Sequence, residues 1–333
     1  MRFAGKTVVV TGASSGVGRA IARAFADEGA NVGLIARSTD GLDGAAHDVQ
    51  AAGQRALVLP LDIADADAVE DAATRVEAEL GPIDIWVNNA TTSVFSPISE
   101  MTADEYRRVT EVAYLGYVYG TMAALRRMRE RDRGTIIQIG SALAYRSIPL
   151  QSAYCAAKAA TRGFTDSLRS ELLHDGSRVK VSMLLLPAVN TPQFDVVRSR
   201  LPNRAQPVPP IFQPEVIADA VLWAAVHHPR ELVIGGSALR AIVGQKVIPG
   251  LVDRFLATSG YDGQQTDDAA DQSSPDNLYD PVPGDHGAHG RFDDRAKQWS
   301  PELAARMHAG ALLSAAALAG AVTAGWAIVR RRP

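Results

Sequence analysis

Tyr154 and Lys158 stand four residues apart in the stretch Tyr154-Cys155-Ala156-Ala157-Lys158. On a helix that spacing brings both side chains to one face. A phenol with its ordinary pKa of ~10 is a poor acid–base group at neutral pH, and a neighbouring ammonium favours the phenolate and lowers that value. The pair suits the movement of a proton to or from an oxygen, and Lys158 can also bind a ribose. Alone, the pattern is weak, because most Tyr–Lys pairs at this spacing are ordinary surface pairs. Ser141 gives it weight. It lies thirteen residues earlier, at the end of the β-like run TIIQIGS, where its hydroxyl can hold a substrate oxygen beside Tyr154.

A second constellation lies at the start of the chain. Thr11-Gly12-Ala13-Ser14-Ser15-Gly16-Val17-Gly18 sits between a β-branched run, Lys6–Thr11, and a helical pattern, Val17–Glu28. Gly12 permits a tight turn, Gly16 a close approach of backbone to a pyrophosphate, and Gly18 close packing of helix on strand. The helix N-terminus offers free N–H groups and partial positive charge to phosphates. Many strand–helix turns contain two glycines, so placement after the first strand is what makes this one informative. The second strand, Asn31–Arg37, ends in Ala36 and Arg37, where an NAD site usually carries an acid for the ribose 2′-hydroxyl. Arginine suits a 2′-phosphate by charge and bidentate geometry. The expected cofactor is therefore NADP rather than NAD, the alternative being a solvated surface arginine.

These residues need a frame that gathers them at one edge. Further β-like runs occur at Arg55–Asp62, Ile83–Asn88, Thr135–Ile139, Val179–Leu186 and Leu232–Ile234, separated by helical stretches such as Ala103–Arg129 and Ala153–Leu173. Apolar strands each followed by a helix predict a parallel sheet covered on both faces. The expected fold class is α/β: a doubly wound (Rossmann) parallel sheet of about seven strands, with ligands at the carboxyl ends of the strands. Residues 1–261 form the dinucleotide-binding and catalytic domain. Residues 262–300, rich in Asp, Gln, Gly and Pro, are expected to be a polar, partly disordered linker, although the Tyr, Phe and Val of Asn277–Asp293 could pack back on the domain. Residues 301–333 are expected to form an apolar helix. Its stretch Ala309–Val329 has no charge over 21 residues; as a helix it would span ~30 Å, about the hydrocarbon thickness of a bilayer. Nine alanines and three glycines make its hydrophobicity modest. Trp326 beside Arg330–Arg332 suits a membrane interface, but the positive-inside tendency opposes a simple tail anchor on a cytoplasmic domain. Possible membrane contact through 309–329 competes with a buried or oligomer-forming helix.

Bulk composition narrows the class. The chain has 333 residues, of which 47 % are hydrophobic and 21 % charged, with a net charge of −3; these values suit a globular protein with a substantial core. No basic block precedes the last few residues, so nucleic-acid binding is not expected. The single cysteine, Cys155, excludes an intrachain disulfide, and the start lacks the pattern of a signal peptide; a cytoplasmic catalytic domain follows. No metal site is expected.

In these motifs, over roughly Phe3 to Leu256, the sequence resembles the short-chain dehydrogenase/reductase family. The resemblance rests on TGASSGVG (Thr11–Gly18), the LDIAD segment with Asp62, NNA (Asn88–Ala90), Ser141, and Tyr154 with Lys158. It implies that Asp62 and Ile63 border the adenine, that Asn88 to Ala90 lie beneath the cofactor, and that Ser141, Tyr154 and Lys158 are catalytic. It also implies that Thr191 binds the nicotinamide carboxamide and that a homo-oligomer forms. Two departures stand out. The family's proton-relay asparagine on the long helix is replaced by Ala113, in Val112–Gly116, and the usual Pro-Gly before the threonine becomes Leu186-Pro187-Ala188. The proline-rich segment from Asn190 to Pro214 matches the family's substrate lid. Its Phe194, Val196, Val197, Leu201 and Phe212, with Leu143 and Tyr145, suggest a hydrophobic carbonyl or alcohol substrate, or merely pack against the fold. The expected function is NADP(H)-dependent interconversion of a carbonyl and an alcohol. The alternative, motivated by Ala113, is a membrane-tethered nucleotide-binding scaffold with weak or no catalysis.

Overall fold

In the computed structural model, which describes residues 1–307, seven strands form one parallel sheet. They are β1 (Thr7–Thr11), β2 (Asn31–Ala36), β3 (Ala56–Pro60), β4 (Ile83–Asn88), β5 (Thr135–Ser141), β6 (Lys180–Leu186) and β7 (Glu231–Val233). Their spatial order is β7-β6-β5-β4-β1-β2-β3. The order reverses between β1 and β4, the switch point where open α/β sheets bind ligands. Alternation along each strand sends side chains to two cores. Val8, Val10, Leu34, Val87 and Ile139 face the helices α1 (Gly16–Asp27) and α2 (Thr39–Ala51) and the helix Pro214–His227. Val9, Ile35, Trp86 and Ile136 face α3 (Ala66–Leu80) and the long helices that follow.

The stretch 103–129, expected as one helix, is divided. α4 (Ala103–Thr110) opens with a capping box between Thr102 and Glu105. It passes through a π-helical turn, Glu111–Leu115, into α5 (Gly116–Glu130). The wide turn is centred on buried Ala113, whose carbonyl accepts from Thr161 Oγ1 of α6 (Ser152–His174). Such turns cluster at functional sites.

The largest departure from the sequence reading is segment 262–300. It is packed along the domain instead of forming a loose linker. Strand Gln265–Ala269 pairs antiparallel with Asn203–Ala205. Leu278 and Phe292 are buried, and Lys297 exchanges backbone bonds with Ile211 and Gln213. The helix Pro301–Met307 then plugs Leu303 into the core beside the sheet. Composition misled here because the segment is held by isolated apolar anchors and by body side chains that grip its backbone. Neither leaves a periodic pattern. The expected apolar helix at 309–329 lies outside the described residues. Among those described, no helix is long and apolar enough to cross a membrane.

Candidate active site

The carboxyl ends of β1, β4, β5 and β6 surround a cavity of about 740 Å³, a size typical of small-molecule sites. At the β1 end, Gly12 and Gly16 adopt φ of +67° and +57°, a region strained for side-chain-bearing residues. A Cβ on Gly12 would lie 2.7 Å from Ala90 Cα, and one on Gly18 would lie 2.1 Å from the Gly12 carbonyl oxygen. Gly18 therefore sits against the turn instead of lining the cavity, and it allows α1 to approach β1. The Val17 and Gly18 N–H groups lie in the first turn without an intrahelical acceptor, and Val17, which lines the cavity, is ready for an anion. The Gly16 N–H is taken: it donates to the Gly287 carbonyl at 3.0 Å.

Ser14, Ser15, Arg37, Asp62, Ile63 and Ala90 line the same half of the cavity, and Thr191 closes it toward β6. Asn88 does not reach it. Fully buried, Asn88 accepts from Trp86 Nε1 and donates to Thr121 Oγ1 and Gln138 Oε1 on the far side of the sheet. Its neighbour Asn89 lines the cavity and ties β4 to the glycine turn through a 2.9 Å bond to the Thr11 carbonyl. Trp86 and Asn88 have the same parity on β4, so the bulky buried tryptophan was the sequence signal that Asn88 faces the core.

Ser141, at the end of β5, shares the cavity wall with Tyr154 and Lys158 from the start of α6. The Lys158 ammonium is buried and lies 5.6 Å from the centroid of the Tyr154 ring. It donates to the Ile139 carbonyl at 3.0 Å and to the Tyr117 hydroxyl at 2.8 Å. Tyr117 in turn donates to the Ile139 carbonyl at 3.0 Å. With no carboxylate partner among the described residues, burial lowers the Lys158 pKa to about 7. Burial also pushes the Tyr154 phenol well above its ordinary value, with the Ser141 hydroxyl opposing that shift. Among the protein's own groups, burial acts on Tyr154 in the direction opposite to the one expected from Lys158. Desolvation outweighs the weakly charged neighbour.

Tyr117 was absent from the sequence reading. It stands four residues after Ala113, so both share a helix face across the π-turn. Where the family's relay asparagine is missing, the back of Lys158 meets a phenol instead. Tyr117 is itself fully buried, and its pKa is raised by that burial.

At the outer half, Phe95, Leu143, Ile148, Phe194, Val196 and Phe255 give a mainly apolar wall. Four of the residues suggested for this role lie elsewhere. Phe212 belongs to the main core, and Val197 and Leu201 pack in a side cluster. The Tyr145 hydroxyl bonds Glu231 at 2.8 Å.

Comparison with known proteins agrees with this geometry. The short chain dehydrogenase family profile matches residues 6–201. The chain is 30 % identical to the uncharacterized oxidoreductase YxnA of Bacillus subtilis (strain 168), over 98 % of this chain and 91 % of that protein. A metagenomic short-chain oxidoreductase solved in complex with NADP superposes with a TM-score of 0.60 at 29 % identity, covering 70 % of this chain and 98 % of the other. A short chain dehydrogenase from Mycobacterium paratuberculosis bound to NAD gives 0.62 at 25 % identity, covering 70 % and 97 %. A seven-stranded sheet, a glycine turn at its switch point and a profile match over more than half the sequence lead to one assignment: the chain belongs to the short-chain dehydrogenase family, a family of oxidoreductases.

Proposed function

We propose that the protein is an NADP(H)-dependent oxidoreductase that interconverts a hydrophobic carbonyl compound and its alcohol. The observation that carries this reading is the convergence of Ser141, Tyr154 and Lys158 on the cavity that the glycine turn opens into. The residues present fit a dinucleotide: Gly12, Ser14, Ser15, Gly16 and Val17 of the glycine turn line the cavity, and the first-turn N–H group of Val17 awaits an acceptor. Asp62 and Ile63 would flank the adenine, Arg37 the 2′-phosphate, Val17 the pyrophosphate, and Thr191 the carboxamide. Bound in this way, the nicotinamide supplies a hydride for reduction or takes one in oxidation.

The chain's own residues handle the oxygen. Ser141 holds it, and the Tyr154 hydroxyl donates a proton to it in reduction or accepts one in oxidation. Lys158 binds the cofactor ribose with the N–H left after Tyr117 and Ile139 are served. Phosphate and ribose oxygens near the cavity would favour the protonated lysine, which in turn favours the Tyr154 phenolate. The tyrosine is thereby activated only when cofactor is present. Against the scaffold reading stands the complete set of three catalytic side chains, with Tyr117 filling the space behind Lys158 that Ala113 leaves.

A contact with membranes is a second part of the reading, supported by an exposed apolar stripe. Leu239, Val243 and Val247 on the helix Gly236–Val247, and Ile248, Leu251 and Phe255 at or in the helix Pro249–Asp262, face solvent beside the apolar mouth. Fluorescence titration with NADPH and NADH, followed by a carbonyl panel, tests the enzymatic reading. It expects tighter NADPH binding, reversed or abolished by Arg37→Ala, and turnover with at least one apolar ketone or aldehyde. Failure to bind either nucleotide contradicts it. Co-sedimentation of full-length protein with anionic vesicles tests the membrane contact, and protein left wholly in the supernatant contradicts it.

A further inference from the structure

The segment that composition marks as a linker crosses the mouth of the cofactor cavity as a strap. Residues 277–293 are attached to the body at five places along the nucleotide half of the groove. The Arg37 guanidinium donates to the carbonyls of Asn277 and Tyr279 at 2.5 Å each and to that of Leu278 at 3.4 Å. Arg108, which also pairs with Asp62, donates to the Leu278 carbonyl at 3.0 Å. The Gly284 N–H donates to Asp40 at 2.7 Å. Asp285 pairs at 2.9 Å with Arg19, a largely buried guanidinium that also holds Asp48. The fifth attachment is the Gly287 carbonyl on the Gly16 N–H of the glycine turn. Beyond it, Gly290 lies so close to Thr191 that a Cβ would approach the Thr191 carbonyl to 2.4 Å. Phe292 and Asp293 are then pinned by Asn190.

These contacts are to the groove's own residues, and the strap also contributes lining. Asn277, Pro281, Val282 and His286 form part of the cavity wall together with Ser14, Arg37 and Asp62. The Asn277 Oδ1 atom is buried there without a hydrogen-bond partner, a cost that a ligand donor would remove. Arg37 is the residue expected to meet a 2′-phosphate. Its position is fixed by strap carbonyls instead of by water, which reduces the side-chain entropy lost when a ligand binds.

We infer that the strap 277–293 is a nucleotide-binding element: it roofs the adenosine and pyrophosphate half of the groove, adds Asn277, Val282 and His286 to the site, and slows the exchange of the dinucleotide that each turnover requires. The inference rests on the reading of the cavity as a nicotinamide-dinucleotide site. The family profile, ending at residue 201, does not include this segment. A dinucleotide beneath the strap leaves only when Asp285 and the Gly287 carbonyl let go, so release is slow and coupled to strap opening.

Two measurements on the full chain test this. In the first, stopped-flow displacement of NADPH from wild type and Asp285→Ala gives the dissociation rate. At least a tenfold faster release is expected in the variant, with the double variant Asp40→Ala/Asp285→Ala, which also removes the acceptor of the Gly284 N–H, releasing faster still. In the second, limited trypsin digestion at Arg291 and Arg295 is followed with no ligand, with NADPH, and with adenosine 2′,5′-bisphosphate. NADPH is expected to slow strap cleavage at least several-fold, and the bisphosphate alone to give part of that protection. The inference is overturned if release rates are unchanged in both variants. It is equally overturned if NADPH accelerates cleavage, because the strap would then occupy the nucleotide's place and be expelled by it. Should wild type bind no nicotinamide nucleotide, the proposed function falls and this inference with it. Binding with an indifferent strap removes this inference alone.

Discussion

Replacing Lys158 by methionine should stabilise the ligand-free protein while ending its chemistry. The ammonium is fully enclosed, and among the described residues its acceptors are two neutral oxygens. Burial lowers its pKa from 10.5 to about 7. At ~1.36 kcal/mol per pH unit, holding the charge in this site instead of in water costs about 5 kcal/mol. Methionine avoids that cost but forfeits two hydrogen bonds of about 1 kcal/mol each. The net gain near pH 7 is therefore roughly 2–3 kcal/mol. The sign of the pH dependence follows from proton counts. Between pH 7 and 10.5 the folded protein binds fewer protons at this lysine than the unfolded chain, so wild-type stability rises with pH across that window and is lowest below it. From pH 7 to 9 the lysine contributes a rise of about 2 kcal/mol, because it is half-protonated at the lower limit. Urea unfolding of ligand-free wild type and Lys158→Met at pH 6, 7, 8 and 9, followed by tryptophan fluorescence, reads this directly. The two stability curves should converge as pH rises. Parallel curves would refute the claim that Lys158 is held against its own desolvation.

Three other outcomes follow from the same geometry. Tyr117→Phe removes an acceptor from the ammonium, worth about 1.5–3 kcal/mol for a bond to a charged group. The alkaline limb of kcat, where Lys158 loses its proton, should move down by one to two pH units, and an unmoved profile would mean that Tyr117 only fills space. Gly18→Ala drives a Cβ against the Gly12 carbonyl; a loss of about 2 kcal/mol in stability is expected from overpacking, with at least tenfold weaker NADPH binding by titration. Leu278→Ala empties a fully buried position at a cost of about 2–5 kcal/mol. That loss should appear as faster tryptic cleavage within 277–293 while the body keeps its cooperative unfolding.

Much of the frame was legible because parallel strands buried on both faces write themselves as apolar runs. Ile83–Asn88 was read to the residue, and the glycine turn was found in its place after β1. What escaped depends on information that no local pattern carries. The π-turn at Glu111–Leu115 interrupts a stretch that is helical in composition throughout, and only packing against Thr161 of α6 reveals it. Asn88 and Asn89 are chemically alike; strand parity, shared with Trp86, decides which one enters the core. Tyr117 belongs to no motif; Tyr114, Tyr117 and Tyr119 are alike in sequence, and only the packing of α5 on α6 brings Tyr117 to Lys158. The strap looked like a linker because its partners, Arg19, Arg37 and Arg108, lie more than 150 positions away and bind its backbone and one carboxylate. The same arginine that pointed to a 2′-phosphate is also the strap's clasp, a second role no motif describes.

The central claim is that Tyr154 transfers the proton while a hydride passes between nicotinamide and substrate carbon. Its most direct test is the rate of NADPH oxidation by wild type and Tyr154→Phe with the same carbonyl substrate, alongside NADPH affinity for both proteins. Phenylalanine keeps the ring and removes only the hydroxyl. The account predicts a loss of at least ~100-fold in kcat, the scale of acid–base catalysis, with NADPH affinity within about twofold of wild type. Equal turnover by the two proteins would contradict it.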